Sequence, residues 1–304
     1  MRITLVHNPG AGRQAAGGGP ALERLLSDAG HEVRYQSAKE DRWKRALEEP
    51  ADLVVVAGGD GTVARVARRM VGRGVPLALL PSGTANNIAR TLGQVERPFE
   101  ELVRGWDGAR RVKLDAGIVQ GPWGERYFIE GVGLGLFASL LSRPSEALKR
   151  SAHAVEGALR RLKDAAAHCE PVELVAALDG QDISGRYLLL EALNLRYVGP
   201  NLFLAPDNQP GDGQLHVVMV TEAERARLLE YLEQWQDNRE RLAVLPSRRG
   251  KRLQIEWTGF ELHIDDKLRP KKNADPDEVA GMVEARIDGD AVEFLVPDFR
   301  ERSA

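Results

Sequence analysis

The apolar positions follow two different rhythms along the chain. Residues 3–7, with Ile3, Leu5 and Val6 apolar, read as a buried strand that ends in a loop at Asn8-Pro9-Gly10-Ala11-Gly12. Leu22, Leu25 and Leu26 have helical spacing within 20–29, and Gly30 follows as a stop. Residues 31–36 alternate like a strand, and 41–49 read as a helix. Residues 52–57 read as a strand, apolar without interruption after Asp52, the pattern of a parallel strand buried on both faces. Gly58-Gly59-Asp60-Gly61 interrupts it, and 62–71 returns to helical spacing. A further buried strand at 76–80 is broken by Pro81-Ser82-Gly83, before a helix predicted over 84–92. Strand, loop and helix thus repeat four times, the signature of a parallel α/β sheet.

Beyond about residue 117 the rhythm changes. Strand patterns appear at 127–131, 171–178, 187–194, 215–220, 253–264 and 283–294, without regular crossover helices. Two helical inserts interrupt them, one charged at 142–168 and one at 222–242 carrying Leu228, Leu229, Leu232 and Trp235. This predicts a mostly antiparallel second domain.

Composition narrows the picture. A length of 304 residues agrees with two domains at roughly 150 residues each. With 43% hydrophobic and 29% charged residues, there is ample material for a core, which excludes disorder over most of the length. The net charge of -3 gives no basic surplus for duplex nucleic acid, so no nucleic-acid partner is expected. One cysteine, Cys169, excludes an intramolecular disulfide. The first residues lack the apolar core of a signal peptide, and no run is long enough to span a bilayer. A cytoplasmic protein is expected, with peripheral contact at the inner membrane face left open. None of the six histidines pairs at helical spacing or neighbours a second cysteine, so a zinc site is not expected. Glycine is the one excess: 21 of the 31 lie in the first 135 residues, so the excess needs a cause in the first domain.

Three loops supply that cause. Asn8 to Gly12, Gly58 to Thr62 and Pro81 to Thr84 all follow strands of the predicted parallel sheet, where ligands bind at the carboxyl edge. Glycine lets the backbone approach a phosphate and turn successive N–H groups toward it. Helices predicted to start at Thr62 and Thr84 add N-terminal dipoles. Each loop taken alone also reads as a tight turn. Asp60, however, repels phosphate and makes sense facing Mg²⁺ or a reacting hydroxyl. Neither the P-loop pattern nor Gly-x-Gly-x-x-Gly occurs; Gly131-Val132-Gly133-Leu134-Gly135 misses the last spacing.

Gly58-Gly59-Asp60-Gly61-Thr62 resembles the GGDGT loop of diacylglycerol and sphingosine kinases, NAD kinases and, more distantly, phosphofructokinases. Asn8-Pro9-x-x-Gly12, Leu80-Pro81-Ser82-Gly83-Thr84-Ala85-Asn86-Asn87-Ile88-Ala89-Arg90, Leu114-Asp115-Ala116-Gly117, Ala205-Pro206 with Gly211-Asp212-Gly213-Gln214-Leu215, and Ile287-Asp288-Gly289-Asp290 match further segments in order. The whole chain resembles the bacterial soluble branch of the diacylglycerol kinase catalytic-domain family.

The resemblance implies an α/β nucleotide-binding lobe over 1–117, a β-sandwich-like acceptor domain over 118–291, and a tail over 292–304 returning to the first lobe. ATP and acceptor would lie between the lobes. It implies an ATP- and Mg²⁺-dependent kinase acting on a hydroxyl of a lipid such as diacylglycerol. Asn8, Gly12, Gly58, Gly59, Gly61, Thr62, Gly83, Thr84, Asn86 and Asp290 would bind nucleotide. Asp60 would lie near Mg²⁺ or the acceptor, and Asp288 would be the general base. A structural Mg²⁺ would be held by Asp212 with the carbonyls of Gln209 and Gln214, and Asp115 would support the network linking the two sites or simply end a strand. An Asp-Gly pair on its own reads as a hairpin turn.

Two positions depart from the family pattern: Asn87 replaces an aspartate, and Asp290 replaces a glutamate. A kinase of a soluble hydroxyl compound, NAD included, and a non-catalytic nucleotide-binding regulator remain as alternatives, and a homodimer is left open. Basic clusters at Arg248, Arg249, Lys251 and Arg252 and at Lys267, Arg269, Lys271 and Lys272 read as solvated loops or as contacts to anionic lipid. Residues 132–141 read as core or as the lining of an acyl pocket.

Overall fold

The computed structural model describes residues 1–11, 18–142, 154–237, 242–271 and 273–299. The chain forms two units. One contains Met1–Leu114 together with the segment from Asp290 on, and the other contains Asp115–Gly289. The sequence pattern puts these boundaries a few residues later, at 117/118 and 291/292.

The first unit is built on β1 (Arg2–His7), α1 (Gly18–Asp28), β2 (Glu32–Ser37), α2 (Trp43–Ala46), β3 (Leu53–Gly58), α3 (Asp60–Met70), β4 (Leu77–Pro81), α4 (Asn87–Thr91), α5 (Phe99–Arg104) and β5 (Arg110–Asp115). The sheet order is β2-β1-β3-β4-β20-β5, where β20 (Ala291–Val296) is the returning strand. Pairing is parallel from β2 through β20, with Ile3 opposite Leu53, Val54 opposite Leu77, and Phe294 opposite Leu77. β3 is buried at every position, as its continuous apolar run predicts. Leu22 and Leu26 of α1, Leu102 of α5 and Trp106 join Leu5, Val55 and Leu80 in one core.

The helix predicted over 84–92 is shorter. It begins only at Asn87, because Asn86 is left-handed (φ 53°) and the preceding residues form a loop. The run at 283–294 is not one strand either. Gly289 turns at φ +82°, so β19 (Gly281–Arg286) stays in the second unit while β20 belongs to the first.

The second unit continues with β6 (Gly117–Gly121), β7 (Gly124–Phe128), β8 (Gly131–Gly135), α6 (Leu136–Ser142), α7 (Ala154–His168), β9 (Val172–Leu178), β10 (Gln181–Asp182), β11 (Gly185–Leu193), β12 (Tyr197–Val198), β13 (Leu202–Phe203), β14 (Leu215–Thr221) and α8 (Arg225–Asp237). It ends with β15 (Ser247–Gly250), β16 (Arg252–Trp257), β17 (Leu262–Ile264), β18 (Lys267–Arg269) and β19. Strands hydrogen-bond in the order β18-β17-β8-β11-β9-β16-β19-β6-β7, with β14 joining β11 to β15. All the recorded pairings in this unit are antiparallel. The run at 253–264 is split by Gly259 (φ +91°), so β16 pairs with β9 and β19 while β17 pairs with β8.

Two apolar layers result. Phe128, Leu253, Trp257 and Val283 fill one face of the sheet. On the other, Phe137, Leu162, Leu228 and Trp235 of the helices pack on Leu189, Leu193 and Val218. Residues 132–142 are therefore strand β8 and helix α6, with Val132, Leu134, Leu136 and Phe137 in the core. No helix among the described residues is long and apolar enough to cross a membrane.

Candidate active site

In the first unit the parallel pairing brings the loops after β1, β3 and β4 to one edge. They are tied together by their own polar groups. Asn8 Nδ2 donates to Thr62 Oγ1 at 3.0 Å, and Asn8 Oδ1 accepts from the Gly10 N–H at 3.0 Å. Gly12 lies outside the described residues. Gly59 caps α3, its carbonyl accepting from the N–H groups of Thr62 (2.9 Å) and Val63 (3.0 Å). The earlier N–H groups of the helix have no intrahelical partner, so they form a concentrated positive end. Gly61 and Thr62 are thus the first turn of α3 rather than loop residues.

The second and third loops meet backbone to backbone. A Cβ on Gly59 would stand 2.9 Å from Gly83 Cα, and one on Gly83 would stand 2.8 Å from Asn86 Oδ1. Only glycine permits this approach. Asn86 folds the third loop: its Oδ1 accepts from the Gly83 N–H at 2.9 Å, and its Nδ2 donates to the Gly83 carbonyl at 2.8 Å. Thr84 is exposed at the bend. Ser82 is buried, and its hydroxyl has no hydrogen-bond partner among the described residues.

Asp60 joins this arrangement from the first turn of α3. Its Oδ1 accepts from the Ile88 N–H at 3.0 Å, bracing the start of α4. Burial pushes the Asp60 carboxyl above its ordinary range, while the backbone N–H groups of Ile88, Asn87, Asp60 and Asn86 pull the other way. Asp60 thus also holds the Asn86–Asn87 loop. Asn87 itself is buried.

One residue here is missed by the sequence reading. The ammonium of Lys39, just beyond β2, overlies the first loop: a Cβ on Gly10 would stand 2.8 Å from its Nζ. Lys39 makes no ion pair among the described residues. Its only sequence signal is a basic residue after a strand that shares the same edge.

The second unit holds the remaining candidates. Asp115 Oδ2 accepts from the Gly213 N–H at 2.8 Å. Asp212 accepts from Gln214 N–H (3.0 Å) and Gln209 N–H (3.2 Å), and its Oδ2 lies 3.1 Å from His216 Nε2. Burial, and after it the charge of Asp212, pushes the Asp115 carboxyl up; the Gly213 N–H opposes this. Two carboxylates thus face a shared region, and neither is paired with Lys or Arg among the described residues. No cluster of three or more His, Cys, Asp and Glu side chains capable of holding a metal occurs among the described residues. Asp288 is exposed after β19, with Oδ2 3.7 Å from Arg286 Nε. Asp290 begins the segment that returns to the first unit.

This geometry can be set beside known proteins. Residues 2–117 match the profile of the diacylglycerol kinase catalytic domain. Residues 139–272 match a domain described as the YegS C-terminal NAD kinase beta sandwich-like domain. A Pseudomonas aeruginosa protein named "Probable lipid kinase YegS-like" is 30% identical over 224 residues, 71% of this chain and 70% of that protein. The chain belongs to the diacylglycerol kinase catalytic-domain family. Within this family of lipid kinases, a Mycobacterium tuberculosis protein named diacylglycerol kinase is 25% identical over 288 residues, covering 87% of this chain and 88% of the other. The crystal structure of a Bacillus anthracis protein titled a diacylglycerol kinase has the same fold, with a TM-score of 0.73 at 18% identity over 98% of this chain and 97% of that one.

Proposed function

We propose that this lipid kinase transfers the γ-phosphoryl group of ATP to a hydroxyl of a lipid acceptor such as diacylglycerol, with Mg²⁺ as the metal. The observation that carries this reading is the backbone contact of Gly59 with Gly83 beside the N-terminus of α3. That contact puts no side chain between the two loops, so none stands there to obstruct phosphate oxygens approaching the first N–H groups of α3. The loops through Asn8, Gly58, Gly59, Gly83 and Thr84, with Gly61 and Thr62 of the first turn of α3, hold the triphosphate. Asn86 and Asp60 fix the loop geometry, and Lys39 adds positive charge over the first loop. Asp290 assists nucleotide binding.

Asp288 is the general base. It accepts the hydroxyl proton as the acceptor oxygen bonds to the γ-phosphorus and the bridging oxygen leaves with ADP. When bound, Mg²⁺ supplies charge neutralisation on the phosphates. A second, structural Mg²⁺ would be held by Asp212 with the Gln209 and Gln214 carbonyls, oxygen donors that suit a hard cation. Contact with the membrane surface is peripheral.

The test is incubation of the purified protein with γ-labelled ATP, Mg²⁺ and a total lipid extract. Label in the organic phase is expected. Label found only on a water-soluble acceptor, or none at all, would contradict the reading.

A further inference from the structure

The basic cluster around Arg269 divides once its partners are known. Lys267 is paired with Asp266 at 2.7 Å, and in the other cluster Arg249 and Arg252 face Asp207 (3.6 Å) and Glu284 (3.8 Å). Arg269 has no such partner. It is only 7% exposed, its Nε is buried without a hydrogen bond, and its one recorded side-chain bond runs from Nη1 to the Leu268 carbonyl at 2.7 Å. The guanidinium lies over the Trp123 ring, 5.4 Å from the centroid. A carbonyl and a ring face replace some hydration but supply no net negative charge. A buried charge left in that state is costly unless a counter-ion joins it.

The neighbouring charge has the same sign. Arg126 is exposed on β7 and makes no ion pair among the described residues. Burial first, and then the charge of Arg126, hold the Arg269 guanidinium below its ordinary value, with Glu278 acting weakly the other way. Glu278 is not within ion-pair distance. The place in the fold is also distinctive. β18 and β7 are the two ends of the hydrogen-bonded strand path, and the contact of Arg269 with Trp123, in the β6–β7 turn, joins those ends.

We propose that Arg269 and Arg126 form an anion site at this seam, selective for a phosphate group. A phosphate carries enough charge to answer both guanidiniums, and its oxygens match the planar fork of an arginine. Arg126 gives the ligand access from solvent, while Arg269 and Trp123 form the floor. The phosphate belongs either to an anionic phospholipid headgroup or to a free phosphate compound. The proposal rests on unpaired charge in the second unit and is independent of the kinase reading.

The full-length protein and its Arg126→Gln and Arg269→Lys variants are titrated with inorganic phosphate by calorimetry. The same proteins are floated with phosphatidylcholine vesicles with and without phosphatidylglycerol. Arg126→Gln changes an exposed residue, so it keeps the test intact if position 269 does not tolerate change. A component of phosphate binding weakened at least about tenfold in Arg126→Gln is expected, since a charge-assisted bond is lost. Arg269→Lys, which keeps the charge and loses the fork, is expected to weaken it too. Loss confined to phosphatidylglycerol vesicles assigns the site to a headgroup. Loss confined to inorganic phosphate assigns it to a free compound. Arg126→Gln indistinguishable from the parent with both probes overturns the proposal, as does binding by phosphatidylcholine alone that falls equally in the variants. ATP turnover, measured in parallel, reports separately on the kinase.

Discussion

Glu191 and His263 meet across Gly133. Glu191 on β11 and His263 on β17 are both in register with Gly133 on β8, and His263 Nε2 lies 2.9 and 3.0 Å from the two carboxylate oxygens. Both are buried, and His263 Nδ1 lies 2.9 Å from the Asp265 carbonyl, which only an N–H can satisfy. His263 Nδ1–H therefore donates to the Asp265 carbonyl, and one further proton is shared between Nε2 and the Glu191 carboxyl group. Gly133 is required because a Cβ there would fall on the Glu191 carboxyl group.

This pair sets a pH dependence of stability. Burial lowers His263, but the charge and hydrogen bond of Glu191, with help from the Asp265 carbonyl, more than offset it, so its value is raised. A raised histidine contributes stability in full below its unfolded value of about 6.5, and the contribution is lost as pH rises through the folded value. Burial also raises Glu191, against the pull of His263, so the native pair binds protons more tightly than the unfolded chain. Urea unfolding from mildly acidic to alkaline pH is expected to show stability falling as pH rises. In Glu191→Leu/His263→Leu that component is absent. Glu191→Leu alone is expected to cost about 3–5 kcal/mol and the double change far less, because a lone buried charge is the expensive state. A double variant as damaged as the single one contradicts this account.

Gly59→Ala tests the contact between the phosphate loops. The new Cβ would press on Gly83 Cα, and no side chain can yield there. A displacement of the order of 1 Å in a positioning element costs about 100-fold in rate. Turnover is expected to fall by at least that factor while the far-ultraviolet circular dichroism stays unchanged. Full activity in Gly59→Ala would show that the loops do not need to touch.

Asp60→Asn and Asp60→Ala separate anchoring from charge. If the carboxylate serves mainly to accept from the Ile88 N–H, the amide oxygen of Asn preserves that bond and Ala does not. The expected order of ATP affinity, by equilibrium binding, is parent, then Asn, then Ala, with Ala weaker by about tenfold, the value of one hydrogen bond to a charged group. Equal loss in both variants would assign the role to charge alone.

Lys39→Gln is expected to raise KM for ATP by about tenfold with little change in kcat, because its ammonium over Gly10 would contribute a charge-assisted contact to phosphate in ground and transition states alike. Steady-state kinetics over a range of ATP concentrations measures it. An unchanged KM removes Lys39 from the nucleotide site.

The division between what the sequence discloses and what it does not has a physical basis. β3 and the loop after it are legible because a strand buried on both faces must be continuously apolar, and because only glycine fits where two backbones touch. The start of α4 is not legible: Thr84 and Asn86 are both residue types that cap helices, and only the Gly83–Asn86 exchange of hydrogen bonds shows that the helix starts after Asn86. β20 is hidden because its pattern runs on from β19 and only the turn at Gly289 separates them. The Glu191–His263 pair joins residues 72 positions apart, and each alone looks like an isolated polar residue in an apolar run. Lys39 and Arg269 likewise gain meaning only from what lies beside them. Among the candidate site residues, the glycines could be read as backbone geometry, whereas the roles of Asp60, Asn86 and Asp212 depend on partners that spacing does not reveal.

The central claim is that this chain phosphorylates a lipid hydroxyl with Asp288 as the base. Its most direct test is transfer of label from γ-labelled ATP to diacylglycerol in mixed micelles, measured for the parent and for Asp288→Asn, with ATP binding measured alongside. The account predicts labelled lipid from the parent, a fall in kcat of about 100- to 10,000-fold in Asp288→Asn as expected for loss of a general base, and unchanged ATP affinity. Labelling by Asp288→Asn at the parent's rate would contradict it.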